Sequence, residues 1–146
     1  MLELLHVRAR LAPPALRQLT SVNRLEDPTK GQVEFQSKDG AERKGLIETS
    51  ADKATMRVDT TDLEQGANRP SVRLESTSTY GPGHLFVADI KRMPVGCSVW
   101  PAWWSYGEVD YPANGEIDVL EGVNNQSKNQ ITFWVSFLRL SPRREN

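Results

Sequence analysis

The sequence has few of the residues that build metal and redox sites. Its 146 residues include one cysteine, Cys97, and two histidines, His6 and His84. A single cysteine can form neither an internal disulfide nor a cysteine-based zinc cluster. Two histidines so far apart in the chain do not suggest a histidine metal site. We therefore expect no bound metal and no cofactor.

Long apolar runs and basic runs are also absent. No stretch approaches the roughly 20 apolar residues that a membrane-spanning helix needs. The 18 basic and 19 acidic side chains leave a net charge of -1, and no run rich in lysine and arginine could follow a phosphate backbone. We expect neither a membrane nor a nucleic acid as a partner.

The start of the chain lacks a recognisable signal peptide. Arg8 and Arg10 interrupt any apolar run of the about 7 to 15 residues that such a signal requires. The arginine-rich, acid-poor composition leaves an organellar transit sequence open as an alternative. We expect residues 1–24 to be disordered or unrelated to the rest of the chain.

Sustained helical periodicity is missing, and short strands take its place. Beyond the N-terminal segment no apolar period of 3.6 extends over three turns, whereas apolar and polar residues alternate in several runs, as in half-buried strands. Turn signals such as Lys38-Asp39-Gly40 separate these runs. The pattern predicts an all-β chain with the size of one domain and the architecture of a sandwich. The predicted strands lie in segments 32–36, 55–59, 71–75, 85–90, 97–104 and 116–121.

The densest chemistry lies in three carboxylates within one predicted strand, Glu116, Asp118 and Glu121. In a regular strand Glu116 and Asp118 share a face, while Glu121 points to the opposite one. A β-bulge near residues 119–120 would bring Glu121 to the same face, and bulges are common beside active sites. We therefore predict a bulge there, with Ile117 and one of the two bulge residues pointing into the core.

Carboxylates at such close range have a chemical use. Their mutual repulsion raises the pKa of at least one of them, so that a carboxyl group can stay protonated near neutral pH. Two carboxyl groups that flank a glycosidic bond are the minimal apparatus of glycoside hydrolysis, and a separation of about 5 to 5.5 Å selects the retaining route. The spacing alone is also typical of a solvated strand face or of a calcium site.

The tryptophans just upstream favour a sugar ligand. Three of the four tryptophans lie within five positions, at Trp100, Trp103 and Trp104. Alternation puts Trp100 and Trp104 on one face and Trp103 on the other, where it would belong to the core. Aromatic rings stack on the apolar faces of pyranose rings. A carbohydrate-binding sandwich without catalysis stays open as an alternative.

These segments together resemble glycoside hydrolase family 16, particularly its fungal endo-1,3(4)-β-glucanase or laminarinase-like branch. Residues 116–121 match the family's E-x-D-x-x-E signature in its bulged form, and residues 100–104 match its tryptophan-rich segment. The resemblance implies that residues 25–132 form the N-terminal half of a family domain and that residues 133–146 are a divergent tail. Further matching segments follow in the family's order at 27–31, 69–76, 85–90, 93–94 and 122–127.

The resemblance implies a β-jelly-roll sandwich with a concave cleft that cleaves β-1,3 or mixed β-1,3/1,4 glucan outside the cell, and we expect a monomer. It implies that Glu116 is the nucleophile and Glu121 the acid/base, with Asp118 between them to tune their protonation. Because the resemblance ends near Thr132, we expect an incomplete jelly roll with exposed strand edges and apolar faces, and weak or absent activity.

The resemblance also suggests residues that bind the glucan. Trp100 and Trp104 would contribute platforms for sugar rings. Arg73 and Glu75 share one face of their predicted strand, where Arg73 would line the cleft. An ordinary surface ion pair between these two residues is an equally good interpretation of the pattern.

Overall fold

The computed structural model describes residues 19–21 by their backbone, and residues 31–50, 53–107, 109 and 111–135. Within these residues short strands dominate, which confirms the predicted all-β class. The strands are β1 (Leu19–Ser21), β2 (Val33–Phe35), β3 (Ile47–Thr49), β4 (Ala54–Met56), β5 (Arg69–Ser71), β6 (Leu74–Ser76), β7 (Ala102–Tyr106), β8 (Glu116–Glu121) and β9 (Gln130–Trp134).

The strands pair into four small sheets within the described residues. β1 pairs with β6 and β3 with β4, both antiparallel, while β2 and β5 are parallel. The fourth sheet is antiparallel, has the order β7-β8-β9 and contains the longest strands. This three-stranded sheet carries the three carboxylates and Trp104, whereas Trp100 lies just before β7, so the strand predicted over residues 97–104 begins later than expected.

The domain limits predicted from the sequence fall partly outside the described residues. β1 lies inside the N-terminal segment 1–24, and the end of β9 lies inside the predicted tail 133–146. Apart from Val135, the other residues of both segments are outside the described part of the chain. Both limits therefore stay predictions.

A short helix, α1 (Lys38–Arg43), occupies a place where the sequence predicted only a turn. The Ser37 hydroxyl accepts a hydrogen bond from the Gly40 N–H at 3.2 Å and caps the helix. The helix has six residues, so it is too short to show the three-turn periodicity that the sequence criterion required. No helix in the described part of the chain is long and apolar enough to cross a membrane.

The buried core lies around this helix. Ala41, Leu46 and Val72 are almost fully buried and contact one another. Met56 packs on this cluster and also on a second one, formed by the two buried apolar residues of β2. Burial of these side chains holds β2 to β6 together around α1, because removal of apolar surface from water is the main driving force for packing.

The prediction of a central strand over residues 85–90 was wrong. The segment has no regular strand, and only Asp89 forms an isolated bridge. Leu85 is 86% exposed and Val87 is 76% exposed. An apolar run shows that a segment can be buried, but it does not show which strand will cover it, and in the described residues none does.

The face of β8 opposite the carboxylates is also more exposed than predicted. Ile117 and Val119, which alternation places on this face, are each 43% exposed, and Phe133 of β9 is 66% exposed. Neither of the two core clusters in the described part of the chain includes them. The alternation predicted correctly which way these side chains point. The prediction that they are buried was wrong.

Replacement of Leu46 by alanine should destabilise the fold. Leu46 is 1% exposed, and truncation of such a buried leucine costs about 2 to 5 kcal/mol. Urea denaturation should show the loss as a lower midpoint. Leu85→Ala is the matched control, since it removes the same atoms from an exposed position, and an equal loss in both variants would contradict the location of the core.

Candidate active site

β8 is bulged between its second and third carboxylates. A step of three residues on β8, from Asp118 to Glu121, lies opposite a step of two on β9, from Thr132 to Gln130. The register against β7 shifts at the same place. These pairings confirm the bulge that the sequence predicted near residues 119–120.

The bulge brings the three carboxylates to one face of the sheet. Trp104 lies opposite Asp118, and Tyr106 lies opposite Glu116. Glu121 lies opposite the first residue of β7. Residues directly opposite each other on paired strands share a face. The carboxylates therefore share their face with two aromatic side chains of the neighbouring strand.

Glu116 is held at the start of β8 by a tyrosine. The Tyr111 hydroxyl donates a hydrogen bond of 2.6 Å to Oε2 of Glu116. Burial raises the pKa of Tyr111 to about 12, and the hydrogen bond and the charge of Glu116 add to the effect. The hydroxyl thus keeps its proton and remains a donor over the whole physiological pH range.

The glycine before Glu116 directs the chain into β8. Gly115 has φ of +85°, a conformation that L side chains rarely adopt. A Cβ atom at this position would approach the Trp134 carbonyl oxygen to 2.9 Å. Both features require glycine, so the start of β8 can lie close against the end of β9.

Glu121 is held at the other end of β8 by two donors. Trp100 Nε1 donates to Oε1 at 2.8 Å, and Gln130 Nε2 donates to Oε2 at 3.2 Å. Each oxygen of the carboxylate therefore has one donor. The side chain is held from the segment that precedes β7 and from the start of β9.

Asp118 lies between the two glutamates and is 4% exposed. Burial, followed by the hydrogen bond and the charge of Glu116 and then the charge of Glu121, raises the pKa of Asp118 to about 7. A raised pKa in the cluster agrees with the prediction, although burial contributes more to it than the repulsion from which it was predicted. Near neutral pH Asp118 is therefore partly protonated, which relieves the repulsion among the three groups.

Arg73 is buried against two aromatic rings and forms an ion pair with the half-buried Glu75. Its guanidinium carbon lies 4.7 Å from the centroid of the Trp104 ring and 5.7 Å from that of Tyr106. Its Nε and Nη2 atoms both lie 2.9 Å from Oε1 of Glu75, which also accepts from the Tyr106 hydroxyl at 3.1 Å. Because the Arg73 side chain is only 7% exposed and contacts both rings, the pair is not an ordinary surface ion pair.

The six residues predicted for the site belong to one connected network. Arg73 contacts Trp104, and the Trp104 ring lies 6.3 Å from Tyr111, which binds Glu116. The carboxylates follow along β8, and Trp100 contacts the last of them. Trp100 reaches the site through its indole N–H, a contact that the alternation of side chains did not indicate.

Sequence reasoning missed four residues of this network, Tyr106, Tyr111, Asn129 and Gln130. Tyr106 could have been found, since it alternates with Trp104 on the same strand. Tyr111 lies in a segment interpreted only as a turn. Asn129 and Gln130 meet Glu121 through the register of β8 and β9, which no local pattern encodes.

No group of three or more His, Cys, Asp or Glu side chains in the described part of the chain is arranged to hold a metal ion. The three carboxylates of β8 are instead engaged by hydrogen-bond donors and by one another.

Residues 21–137 match the family model described as an XgeA-like, catalytic GH16 domain. The chain is 40% identical over 114 residues to the endo-1,3(4)-β-glucanase XgeA of Emericella nidulans, an alignment that covers 75% of the chain and 18% of that protein. The chain spans about a quarter or less of the length of the curated relatives that it matches.

Solved structures show the same likeness. Laminarinase 16A from Phanerochaete chrysosporium, solved with β-glucan oligosaccharides in its donor and acceptor sites, is 35% identical with a TM-score of 0.72, over 89% of this chain and 44% of that one. An elongating family 16 β-1,3-glucosyltransferase is 41% identical with a TM-score of 0.71, over 81% and 40%. The predicted jelly-roll sandwich is confirmed by the likeness to the laminarinases.

The raised pKa of Asp118 predicts how stability depends on pH. The folded chain holds this proton up to a pH of about 7, whereas the ordinary value for aspartate is 3.8. The folded state therefore binds more protons between these values, and the free energy of unfolding should fall as pH rises from about 4 to 7. Asp118→Asn should remove this fall.

Urea denaturation at several pH values measures the effect. Asp62→Asn, which removes an exposed carboxyl group, is the control and should keep the dependence of the parent protein. If Asp118→Asn and the parent protein had parallel profiles, Asp118 would not hold the proton.

Proposed function

This chain belongs to glycoside hydrolase family 16, and on that premise we propose that it cleaves β-1,3 or mixed β-1,3/1,4 glucan by a retaining double displacement. The observation that carries the proposal is the bulge in β8, which brings Glu116 and Glu121 to one face with Asp118 between them. A binding site needs no such pair, whereas retaining hydrolysis requires two carboxyl groups on the two sides of one bond.

In the first step Glu116 acts as the nucleophile. Its carboxylate oxygen forms a bond to the anomeric carbon, while the bond from that carbon to the glycosidic oxygen breaks. The Glu121 carboxyl group gives its proton to the departing oxygen, so the leaving sugar is released as a neutral alcohol. The product of this step is a glycosyl ester on Glu116.

In the second step Glu121 acts as the base. It takes a proton from a water molecule, whose oxygen attacks the anomeric carbon as the bond to Glu116 breaks. The sugar is released with its original β configuration, and both carboxyl groups return to their starting states. Attack by a sugar hydroxyl group at this stage would give transfer in place of hydrolysis.

Asp118 and Tyr111 prepare Glu116 for this chemistry. Asp118, with its pKa near 7, is hydrogen-bonded to Glu116, so the cluster need not carry three full charges. The Tyr111 hydroxyl donates a hydrogen bond to Oε2 of Glu116. Together they keep the nucleophile oriented, which is the property that positions reacting atoms for attack.

The aromatic residues support a glucan chain as the substrate. Trp104 is half-buried, with Arg73 on one side of its ring, so the remaining ring surface is held in a fixed orientation beside Asp118. Trp100 lies beside Glu121. The laminarinase that resembles this chain holds β-glucan oligosaccharides. Because polymeric glucan is too large to enter a cell, the proposal includes an extracellular location. It also includes action as a monomer.

Glu116→Gln and Glu121→Gln should abolish or greatly reduce hydrolysis. Loss of the nucleophile removes the covalent step, and loss of an acid/base typically costs about 10²- to 10⁴-fold in rate. Release of reducing sugar from laminarin measures the activity, and proton NMR of the first product should show the β anomer. Glu64→Gln, a change at an exposed glutamate away from the site, should leave the rate unchanged.

Two results would contradict the proposal. Initial release of the α anomer would exclude the retaining route. Binding of laminarin without turnover by the parent protein, with the same affinity in Glu116→Gln, would favour the alternative of a non-catalytic carbohydrate-binding sandwich.

Trp104→Ala should weaken glucan binding. An aromatic contact worth about 0.5 to 1.5 kcal/mol corresponds to up to about a tenfold rise in KM, with a smaller change in kcat. Steady-state kinetics on laminari-oligosaccharides measures both constants, and Trp104→Phe should lie between the parent protein and the alanine variant. A fall in kcat at unchanged KM would show that the ring acts on the carboxylates and not on the sugar.

A further inference from the structure

The bulge in β8 is closed by a side chain from the next loop. Nδ2 of Asn129 donates a hydrogen bond of 2.9 Å to the Val119 carbonyl oxygen. Oδ1 of the same carboxamide accepts a hydrogen bond of 3.0 Å from the Glu121 N–H. A bulge disrupts the ladder locally, and backbone groups there need other partners. Asn129 supplies one for each side of the bulge.

A carboxamide is well suited to this pair of bonds. Val119 offers an acceptor and Glu121 offers a donor, so the bridging group must donate and accept at once, a few ångströms apart. A carboxylate at position 129 could accept but not donate, and alanine could do neither. The contacts also define the orientation of the Asn129 amide, because the reversed one would pair donor with donor.

The next residue, Gln130, binds the carboxylate of Glu121. Gln130 lies directly opposite Glu121, and its side chain donates to Oε2 of Glu121. Asn129 thus holds the backbone of Glu121, while Gln130 holds its carboxylate. Because the bulge is what turns Glu121 towards the face of Glu116, a bond that stabilises the bulge also sets the direction of Glu121.

The loop that carries Asn129 is itself anchored. The Asn124 N–H donates to the Val99 carbonyl oxygen at 2.8 Å, and the Gly96 N–H donates to the Asn124 carbonyl oxygen at 3.1 Å. The Asn124 side chain accepts from the Ser98 N–H at 2.8 Å. The loop between β8 and β9 is therefore tied to the segment that leads to Trp100, the other partner of Glu121.

We propose that Asn129 is a positioning residue that closes the bulge of β8 and aims Glu121 at the glycosidic oxygen. The inference rests on the proposed role of Glu121 as the acid/base. It predicts a defect confined to steps that need proton transfer by Glu121, and not a general loss of binding or of nucleophilic attack by Glu116.

Leaving-group dependence measures such a defect. For a laminari-oligosaccharide, whose sugar leaving group needs a proton, kcat/KM should fall on the order of 100-fold in Asn129→Ala, since misplacement by about 1 Å can cost that much. For a dinitrophenyl β-laminaribioside, whose leaving group needs no proton, kcat/KM should stay within about twofold of the parent value. Glu121→Gln should show the same split.

Asn125→Ala is the matched control, because it removes an exposed asparagine side chain of the same loop. It should resemble the parent protein on both substrates. An equal loss on both substrates in Asn129→Ala would indicate a merely structural role and would overturn the proposal. Parent-like kinetics on both substrates would overturn it as well.

Hydrogen exchange separates this proposal from the proposed function. The Glu121 amide should exchange faster in Asn129→Ala than in the parent protein or in Asn125→Ala, by about tenfold or more, because its acceptor is gone. If exchange is faster in Asn129→Ala but the parent protein cleaves no glucan, the hydrolytic function is refuted. The closure of the bulge by Asn129 is then still supported. Unchanged exchange would refute the role of Asn129 whatever the activity.

Discussion

One extra residue between Asp118 and Glu121 is the constraint on which the site depends. Without the bulge that accommodates this residue, Glu121 would point away from Glu116, and the two carboxyl groups could not lie on one face. The register of β8 against both neighbouring strands shows the insertion. The insertion interrupts the hydrogen bonds between the strands, and the Asn129 carboxamide binds one backbone group on each side of the interruption. The geometry of the proposed active site therefore depends on the bulge and on the hydrogen bonds of Asn129 that close it.

The same convergence creates an electrostatic problem, which the surrounding donors reduce. Three carboxylates on one face repel one another, and the buried middle one responds with a pKa of about 7. Tyr111 donates to Glu116, and Trp100 and Gln130 donate to Glu121. Each glutamate is thus held by neutral donors, which orient it without neutralising it. Arg73, the nearby cation, is paired instead with Glu75 behind the aromatic rings.

Much of the site could be predicted because its residues are close in sequence. Period-two alternation, together with the need for Glu121 to share a face with Glu116, predicted the bulge at the right place. The strand predicted at residues 85–90 was wrong, because burial depends on what covers a strand. Helix α1 was missed because six residues give no sustained period, although Ser37 caps it in the usual way. Tyr111 was missed because the turn residues after it dominated the interpretation of its segment.

The sequence by itself indicated the family, the strand that carries the three carboxylates and the chemistry now proposed for them, since these depend on residue types at fixed spacings along short segments. Only the tertiary structure decided which carboxyl group has the raised pKa and which donors hold the other two. It also showed that Arg73 and Glu75 form an ion pair in which Arg73 is buried against the ring of Trp104. These properties depend on burial and on contacts between residues far apart in the chain. Such contacts follow from strand register and packing, which no local pattern of residues encodes.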